Sequence, residues 1–489
     1  MPKAFFALAR SLMSFISLTF AIFFFAFVCL YHLTARLFKD APLAQRILLL
    51  AASLVFYSWA DLRFVPFLAY VVAVSYFGGL SFCIGGGYRR LRLLALCAAC
   101  LAPLLFFKYA PRELHPDIIF PLGLSFFTFQ SLSYVADCFK KKVEPERSLL
   151  NVALFVSFFP VVSSGPIQRA GNLIPQFKEA HRFDYGSATD GLKLFAWGMF
   201  KKLCVADRIA AYVNYVYGSA DSQYGSALLL ATVLYSFQIY CDFSGYSDMA
   251  IGAAKYCGFD VGKNFDHPYL AQSVGDFWRR WHISLSSWLR DYVYIPLGGS
   301  RVALPRIYFN LLATFLVSGI WHGAGWTFVV WGAIHGLYQC AGRAAKPLLE
   351  KAKIPAAVKI LVTFCLVTFA WIFFRAESLG QAALVIRKIA EVPKCAADFF
   401  AMKGEIKTRI KDMFSLNDGS YGYFTGMIVT LLLAFGMCLC ELIVGKSKGI
   451  EYIKNKHFLF RWVLYLVLCF VIFFCSESGM SGNFIYNGF

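Results

Sequence analysis

Apolar runs long enough to cross a lipid bilayer recur along this chain and limit what it can fold into. A transmembrane helix needs ~20 mostly apolar residues, and candidate spans start with 14–35, 43–60, 64–85 and 91–107 and finish with 457–476. Within lipid, a helix satisfies every backbone hydrogen bond inside its own segment. Because 59% of residues are hydrophobic and 15% are charged, we predict an all-α polytopic membrane protein with about eleven or twelve transmembrane helices.

The apolar runs also predict the domain organisation. We expect a single transmembrane domain over residues 1–489, with a motif-rich core at about 50–340 and C-terminal helices at about 356–489. The sequence shows no internal repeat, which argues against a transporter built from two inverted halves.

The net charge of +19 is explained by the loops between these runs. Lys and Arg fall in short clusters at Arg89–Arg90, Lys140–Lys142, Lys346–Lys353 and Lys446–Lys456. Such clusters mark cytoplasmic loops and favour contact with anionic lipid headgroups, so nucleic acid is not an expected partner. At the end of the fourth run, Lys108 is expected to extend its ammonium group to water.

The cysteines give no sign of a metal centre. Cys97 and Cys100 form a CxxC pair inside a candidate span, and no second CxxC completes a four-thiolate site. We therefore predict no bound metal and interpret the cysteines as small buried apolar residues.

Residues 276–336 concentrate polar groups in an otherwise apolar chain. Three of the eight histidines, His282, His322 and His335, lie in this segment. Polar groups at membrane depth usually face the protein interior or a water-filled cavity and mark function. Because Gly319, Gly323 and Gly325 flank His322, we expect this histidine at a helix break. A buried histidine hydrogen-bonded to backbone remains the alternative.

The segment 276–292 has the period of one amphipathic helix. Trp281 and His282 fall on its aromatic face, and Arg279 and Arg280 fall on the other, as in an interfacial helix. The two arginines suit a phosphate-bearing donor. The alternative is pairing with carboxylates, namely Asp242, Asp248 or Asp276.

Two further polar positions have open interpretations. Asp242 lies in an apolar segment, 225–256, which we expect to be interrupted, with a kink at Gly245. It is either a structural ion-pair residue or a functional carboxylate. Gln130 lies among hydroxyl side chains at 118–138 and either bonds across helices or lines a polar passage.

At these residues the chain resembles the membrane-bound O-acyltransferase (MBOAT) family, in the branch of the alginate O-acetylation membrane protein. Six motifs carry the resemblance, in the family's order. They are FYSWAD (56–61), PLGLSFFTFQSLSYVAD (121–137), SFFPVVSSGPIQR (157–169), YCDFSGYSDMAIG (240–252), FWRRWHISLSSWLRDYVYIPLGG (277–299) and GIWHGAGWTFVVWGAIHG (319–336).

The resemblance implies a ring of transmembrane helices around a central passage, with interfacial helices inside it. It implies transfer of an acetyl group from a cytoplasmic donor, acetyl-CoA or another acetyl donor, towards hydroxyls of an extracytoplasmic polysaccharide of alginate, cellulose or peptidoglycan type. No bound cofactor is expected. The expected location is the bacterial cytoplasmic membrane, and the expected partner is a separate periplasmic or surface acetyltransferase.

The resemblance also assigns residues. The histidine of the WHG motif, here His322, is catalytic, and that of the WHISLS motif, here His282, is a second polar group of the passage; His335 receives a structural role. A histidine serves as a general base near neutral pH. The predicted substrate-binding residues are Trp321, Trp281, Arg279, Asp242 and Gln130.

Three features of the chemistry stay open at this point. No Gly-x-Ser-x-Gly elbow is present, so direct transfer is expected, with an acyl-histidine as the alternative. The same fold transfers D-alanine to teichoic acid in related proteins. A channel or transporter is the alternative outside the enzymes.

Overall fold

The computed structural model describes residues 13–38, 41–109, 120–401, 421–444 and 453–476, and regular structure within them is helical. In chain order the α-helices are α1 (Leu18–Leu37), α2 (Ala41–Ala60), α3 (Val65–Ser81), α4 (Arg89–Tyr109), α5 (Leu124–Phe139), α6 (Leu149–Ser157), α7 (Phe159–Val162), α8 (Ala170–Phe177), α9 (Tyr185–Met199), α10 (Asp207–Gly218), α11 (Gly225–Tyr256), α12 (Val274–Arg280), α13 (Ile283–Leu289), α14 (Leu304–His322), α15 (Trp326–Lys351), α16 (Ala356–Arg375), α17 (Leu379–Ala401), α18 (Tyr421–Val444) and α19 (Phe458–Ser476). Two π-helical turns occupy Phe200–Ala206 and Arg290–Tyr294.

The expected membrane architecture is confirmed. Among the described residues, eight helices are long and apolar enough to cross a bilayer: α1, α2, α3 with the turn before it, α4, α11, α14, α16 and α19. The number of about eleven or twelve spans stays a prediction. The expected spans at 118–138 and 147–162 form short helices, α5 to α7.

Burial separates an inner set of helices from an outer set. The most apolar 18-residue window is 72% buried in α11, but 17% buried in α4 and 6% in α19. Of the 16 residues of α5, all but two are buried. Since the outer helices expose large apolar side chains, they face lipid, and α5 and α11 form the interior that holds the polar residues.

Helix α11 is one continuous helix of 32 residues, so the expected interruption and kink at Gly245 were wrong. Its glycines serve close packing instead. A Cβ added at Gly245 would lie 2.8 Å from the Gly198 carbonyl oxygen of α9, and one added at Gly252 would lie 2.5 Å from the Gly191 oxygen. Small residues on both helices therefore let the two backbones touch.

A buried ion-pair network joins α10 and α11 to the π-helical turn between α9 and α10. Lys202 Nζ lies 2.7 Å from Asp242 and 2.7 Å from Asp207, and Lys201 Nζ lies 2.5 Å from Asp248. The expected pairing of Asp242 and Asp248 with arginines of 279–290 was therefore wrong, because both carboxylates pair with lysines of the first π-helical turn. The third possible pairing was right, because Arg279 and Arg280 both bind Asp276.

Candidate functional site

His322 is the last residue of α14, and the predicted helix break is confirmed. The Gly323 N–H still bonds to the Gly319 carbonyl, at 3.2 Å, before the chain extends towards α15. A Cβ added at Gly323 would lie 2.1 Å from the Phe328 ring, and one added at Gly319 would lie 2.4 Å from the Phe328 carbonyl oxygen. The glycines are needed because α15 crosses directly against the end of α14.

One hydrogen bond sets the tautomer of His322. Its Nδ1 lies 2.7 Å from the Ser318 carbonyl oxygen, which only accepts, so Nδ1 carries the proton and Nε2 carries the lone pair. The imidazole is buried, with ring centroids of Trp321 and Trp331 each at 4.8 Å and that of Phe374 at 5.5 Å. The two interpretations of His322 are therefore compatible. Its hydrogen bond to the backbone also holds its basic nitrogen, Nε2, in a fixed direction.

His282 lies at a sharp turn and not within a helix. The predicted single helix over 276–292 was wrong, because α12 and α13 are separated at His282, whose φ is 42°. The turn is held by Asn264: its carbonyl accepts from Ile283 N–H at 2.8 Å, and its side-chain oxygen accepts from the Ser284 hydroxyl at 2.8 Å. This turn directs the His282 ring inward, where its side chain is fully buried.

The indole of Trp321 brings the two histidines together. Its ring centroid lies 4.8 Å from that of His322 and 6.0 Å from that of His282. Phe126 of α5 lies 6.1 Å from His282 and 5.7 Å from Trp321. His282 and His322, which are 40 positions apart in the sequence, therefore both contact Trp321 beside α5. We call this group the histidine centre.

Several buried polar atoms of the histidine centre and of the neighbouring helix α5 have no hydrogen-bond partner among the residues that the structure describes. Within the described part of the chain they include both ring nitrogens of His282, Trp321 Nε1, and the hydroxyls of Ser318, Ser125 and Thr128. Each such group costs ~1–3 kcal/mol when left unpaired, and buried polar groups are normally satisfied. The centre is therefore lined for a polar occupant.

Two of the predicted substrate-binding residues have structural contacts. The Gln130 side chain donates to the Phe155 carbonyl and accepts from Gln168 N–H at 3.3 Å, as in the helix-bonding interpretation. Trp281 is buried against Phe277 and Trp371, at 5.3 and 5.1 Å. Their roles in substrate binding stay predictions.

Two more of the predicted substrate-binding residues, Asp242 and Arg279, are held by ion pairs. Asp242 is buried beside Lys202, as described above, which matches its structural interpretation. Arg279 has a 73% exposed side chain and lies 3.3 Å from Asp276. Neither contact tests a role towards substrate, so both roles also stay predictions.

His335 lies behind the centre. Its Nδ1 accepts from the indole N–H of Trp278 at 3.1 Å, which makes it part of a tryptophan cluster. Trp331 separates it from His322, with ring centroids 5.0 Å from His335 and 4.8 Å from His322. These contacts agree with the structural role expected for His335.

Sequence reasoning missed the contact between α4 and the end of α14. Lys108 does not extend to water as expected: its ammonium donates to the Trp321 carbonyl, and the Tyr109 hydroxyl donates to the Ile320 carbonyl at 3.1 Å. The last carbonyls of a helix have no partner within it, and a cation suits that end. The available signal was the Lys-Tyr pair after an apolar run, which has the same appearance at any membrane interface.

The motif-bearing region matches a known family. The model of the MBOAT, membrane-bound O-acyltransferase family, matches residues 93–379, which include His282, His322 and His335. The chain is 32% identical over 517 residues to the peptidoglycan O-acetyltransferase of Helicobacter pylori, covering 96% of each chain. It is 38% identical over 378 residues to the probable alginate O-acetylase AlgI of Pseudomonas aeruginosa, covering 73% of this chain and 70% of that one.

A more distant relative carries out a different transfer. The teichoic acid D-alanyltransferase of Bacillus subtilis is 26% identical over 345 residues, covering 62% of this chain and 85% of the relative.

Proposed function

The chain belongs to the membrane-bound O-acyltransferase family, and from this premise we propose that it transfers acetyl groups to hydroxyls of an extracytoplasmic polysaccharide. Family membership makes it a multi-pass membrane O-acyltransferase, which decides against the channel or transporter alternative. The acetyl group comes from a donor on the cytoplasmic side, acetyl-CoA or another acetyl donor, and the enzyme lies in the bacterial cytoplasmic membrane.

The proposed acceptor is a glycan of the peptidoglycan type. This proposal is supported by the share of the chain that each alignment covers. The peptidoglycan O-acetyltransferase of H. pylori aligns over 96% of both chains, whereas the probable alginate O-acetylase of P. aeruginosa aligns over 73% of this chain. Alginate is the second candidate, and D-alanyl transfer to teichoic acid is the third, with a relative at 26% identity. A separate periplasmic or surface acetyltransferase is the proposed partner.

His322 is the proposed general base. Its Nε2 takes the proton of the acceptor hydroxyl as the oxygen attacks the acetyl carbon. The carbon–sulfur bond of the thioester then breaks, and the imidazolium returns the proton to the departing thiolate. The Nδ1–H bond to Ser318 fixes the ring through both steps, so that the basic nitrogen keeps its direction.

His282 and Trp321 are the proposed donors to the oxyanion. Their ring N–H groups have no partner within the described residues, and both rings pack against Phe126 of α5. Donors already in place before negative charge develops usually supply the largest single contribution to such catalysis. The single observation that carries the proposal is the convergence of two histidines on one buried indole lined with unsatisfied polar atoms.

The test is acetyl transfer by the full-length enzyme in proteoliposomes, with labelled acetyl-CoA and a glycan acceptor. His322→Ala is expected to lower the rate by about 10²–10⁴, the range for losing a positioned base. His457→Ala removes an exposed histidine near the start of α19 and serves as the matched control. Normal transfer by a normally inserted His322→Ala protein would refute the assignment.

A further inference from the structure

A second group of charged residues lies at the other end of α5 from the histidines. There two cations lie over the Tyr292 ring, Arg169 at 4.7 Å and Lys140 at 5.0 Å from the ring centroid. Asp137 and Asp291 are adjacent to them. We call these five residues the Tyr292 cluster.

Both carboxylates of the Tyr292 cluster have closer partners than its two cations. Asp137 accepts from the Tyr292 hydroxyl at 2.7 Å, and Asp291 lies 2.8 Å from Arg290 but 3.7 Å from Arg169. The two terminal nitrogens of Arg169 are buried without a hydrogen-bond partner among the described residues.

The ammonium of Lys140 also has few partners. Its one hydrogen bond goes to the Asp291 carbonyl at a long 3.4 Å, and no carboxylate of the described chain lies within ion-pair distance of its ammonium. Partial desolvation of its ammonium, followed by the neighbouring Lys142 ammonium, lowers the pKa of the largely exposed Lys140, and burial lowers the pKa of Arg169. The Tyr292 cluster thus holds two cations without full compensation, where an anion would bind.

Aromatic rings connect the Tyr292 cluster to the histidine centre. Tyr292 lies 5.1 Å from Trp288, Trp288 stacks on Phe129 at 3.9 Å, and Phe129 lies 5.4 Å from Trp321, which contacts His322. The rise of a helix, ~1.5 Å per residue, places the end of α5 at Phe139 ~15 Å beyond Phe129. Cations at one end and a reacting centre at the other suit a donor with phosphates at one end and an acyl thioester at the other.

The charges also place the Tyr292 cluster on the donor's side of the membrane. The end of α5 lies beside the start of α4, because Arg89 donates to the Phe139 carbonyl, and basic residues cluster at both places. The start of α14, with Arg301 and Arg306, lies at this end, while His322 lies at the other end of the helix. A basic end is the cytoplasmic end.

We propose that the Tyr292 cluster binds the phosphate groups of the acetyl donor, with Arg169 and Lys140 as the contacts. The thioester arm then follows the aromatic rings to His322. This inference rests on the proposed function and replaces Arg279 as the phosphate contact. The phosphate of an anionic lipid headgroup has the same chemistry, so the experiment must separate the two sources.

The experiment compares two donors with the purified full-length enzyme in a neutral detergent. Acetyl-CoA carries phosphates, whereas S-acetylpantetheine has the same thioester arm without them. We expect Lys140→Gln and Arg169→Gln each to raise KM for acetyl-CoA about tenfold, the size of one lost charge-assisted contact, with kcat little changed. The kinetics with S-acetylpantetheine should be unchanged.

Arg306→Gln is the matched control. This arginine also stacks on an aromatic ring, Phe309 at 4.9 Å, at the same end of the molecule, and its variant should leave KM for acetyl-CoA unchanged. Since Lys140 is exposed, its variant should fold even if Arg169→Gln does not.

Three outcomes would overturn the proposal. Equal losses with both donors would mean a structural role, and unchanged KM values would mean no role. An effect that appears only after anionic lipid is added would assign the cluster to lipid headgroups. Failure of the proposed base is a separate result, because His322→Ala would then keep transfer from both donors whatever the cluster does.

Discussion

At the scale of single residues, the centre depends on how two imidazoles are oriented. His322 is fixed by the Ser318 carbonyl one helical turn before it, so the helix itself selects the tautomer. His282 is fixed by backbone conformation, because a φ of 42° places it in the left-handed region that few residues adopt. One histidine is thus positioned by a hydrogen bond and the other by a turn.

His282→Asn tests the second kind of positioning. Asparagine tolerates the left-handed region better than most residues, so the turn and the thermal stability should be retained. The imidazole is lost and the shorter asparagine side chain cannot place its N–H at the same point, so we expect kcat to fall by about 10²-fold, as for removal of one oxyanion donor. Steady-state kinetics with an unfolding curve on the same preparation would check this. Unchanged kcat in the folded variant would exclude His282 from the reaction.

At the scale of elements, the end of α14 is held from outside by α4. Lys108 and Tyr109 bond to the two carbonyls just before His322. Without these bonds the last turn of α14 would lose two of the partners that its free carbonyls require. The direction of His322 therefore depends on a neighbouring helix as well as on its own.

Lys108→Met tests this dependence. The methionine fills the apolar part of the space but cannot donate, so we expect kcat to fall about tenfold, as for one lost hydrogen bond to a charged group, with little change in KM. Lys108→Arg should recover part of the rate because it restores a donor. A change in KM with kcat unaffected would contradict a positioning role. The absence of any recovery of kcat with arginine would contradict it as well.

The sequence was informative about elements where the cause was local. The glycines around His322 indicated the helix break correctly, because the close approach of α15 needs two of them, Gly319 and Gly323, at that site. The helical period over 276–292 wrongly predicted one continuous helix, because the break at His282 is imposed by Asn264, which lies in another loop. The predicted interruption of α11 at Gly245 was wrong for a similar reason. A glycine in a helix indicates either a bend or a close contact, and here the neighbouring helix α9 determines that it is a contact.

The partners of the buried charges could not be predicted from the sequence either. Asp242 and the lysine that pairs with it are 40 residues apart, and the sequence offered arginines at 279 and 280 that were just as suitable. The two histidines were identified from their motifs, but their shared contact with Trp321 requires the fold. Lys108 was misassigned because its environment is set by a helix more than 200 residues later.

At the scale of the whole molecule, the interior is held together by charges as well as by apolar packing. The lysine–aspartate network joins α10, α11 and the first π-helical turn, and its members Lys202 and Asp242 are 1% and 2% exposed. Removing one partner of a buried pair leaves the other uncompensated. The inner helices are therefore sensitive to the loss of any one member of the network.

Asp242→Asn is expected to destabilise the protein by ~3–5 kcal/mol, because Lys202 keeps Asp207 but loses its second carboxylate. Thermal unfolding in detergent would measure the loss as a lower midpoint. Asp221→Asn, at an exposed position, is the control and should unfold like the parent. A normal midpoint with a raised KM would instead support Asp242 as a substrate contact.

The bonds from α4 to the end of α14 connect the lipid to the chemistry. Helix α4 is an outer helix, 17% buried over its most apolar window, yet its last two residues hold the backbone beside His322. A bilayer too thin or too thick for this helix would tilt it and pull on that backbone. Turnover in vesicles should therefore vary with acyl-chain length, so that membrane thickness becomes a regulator of glycan modification.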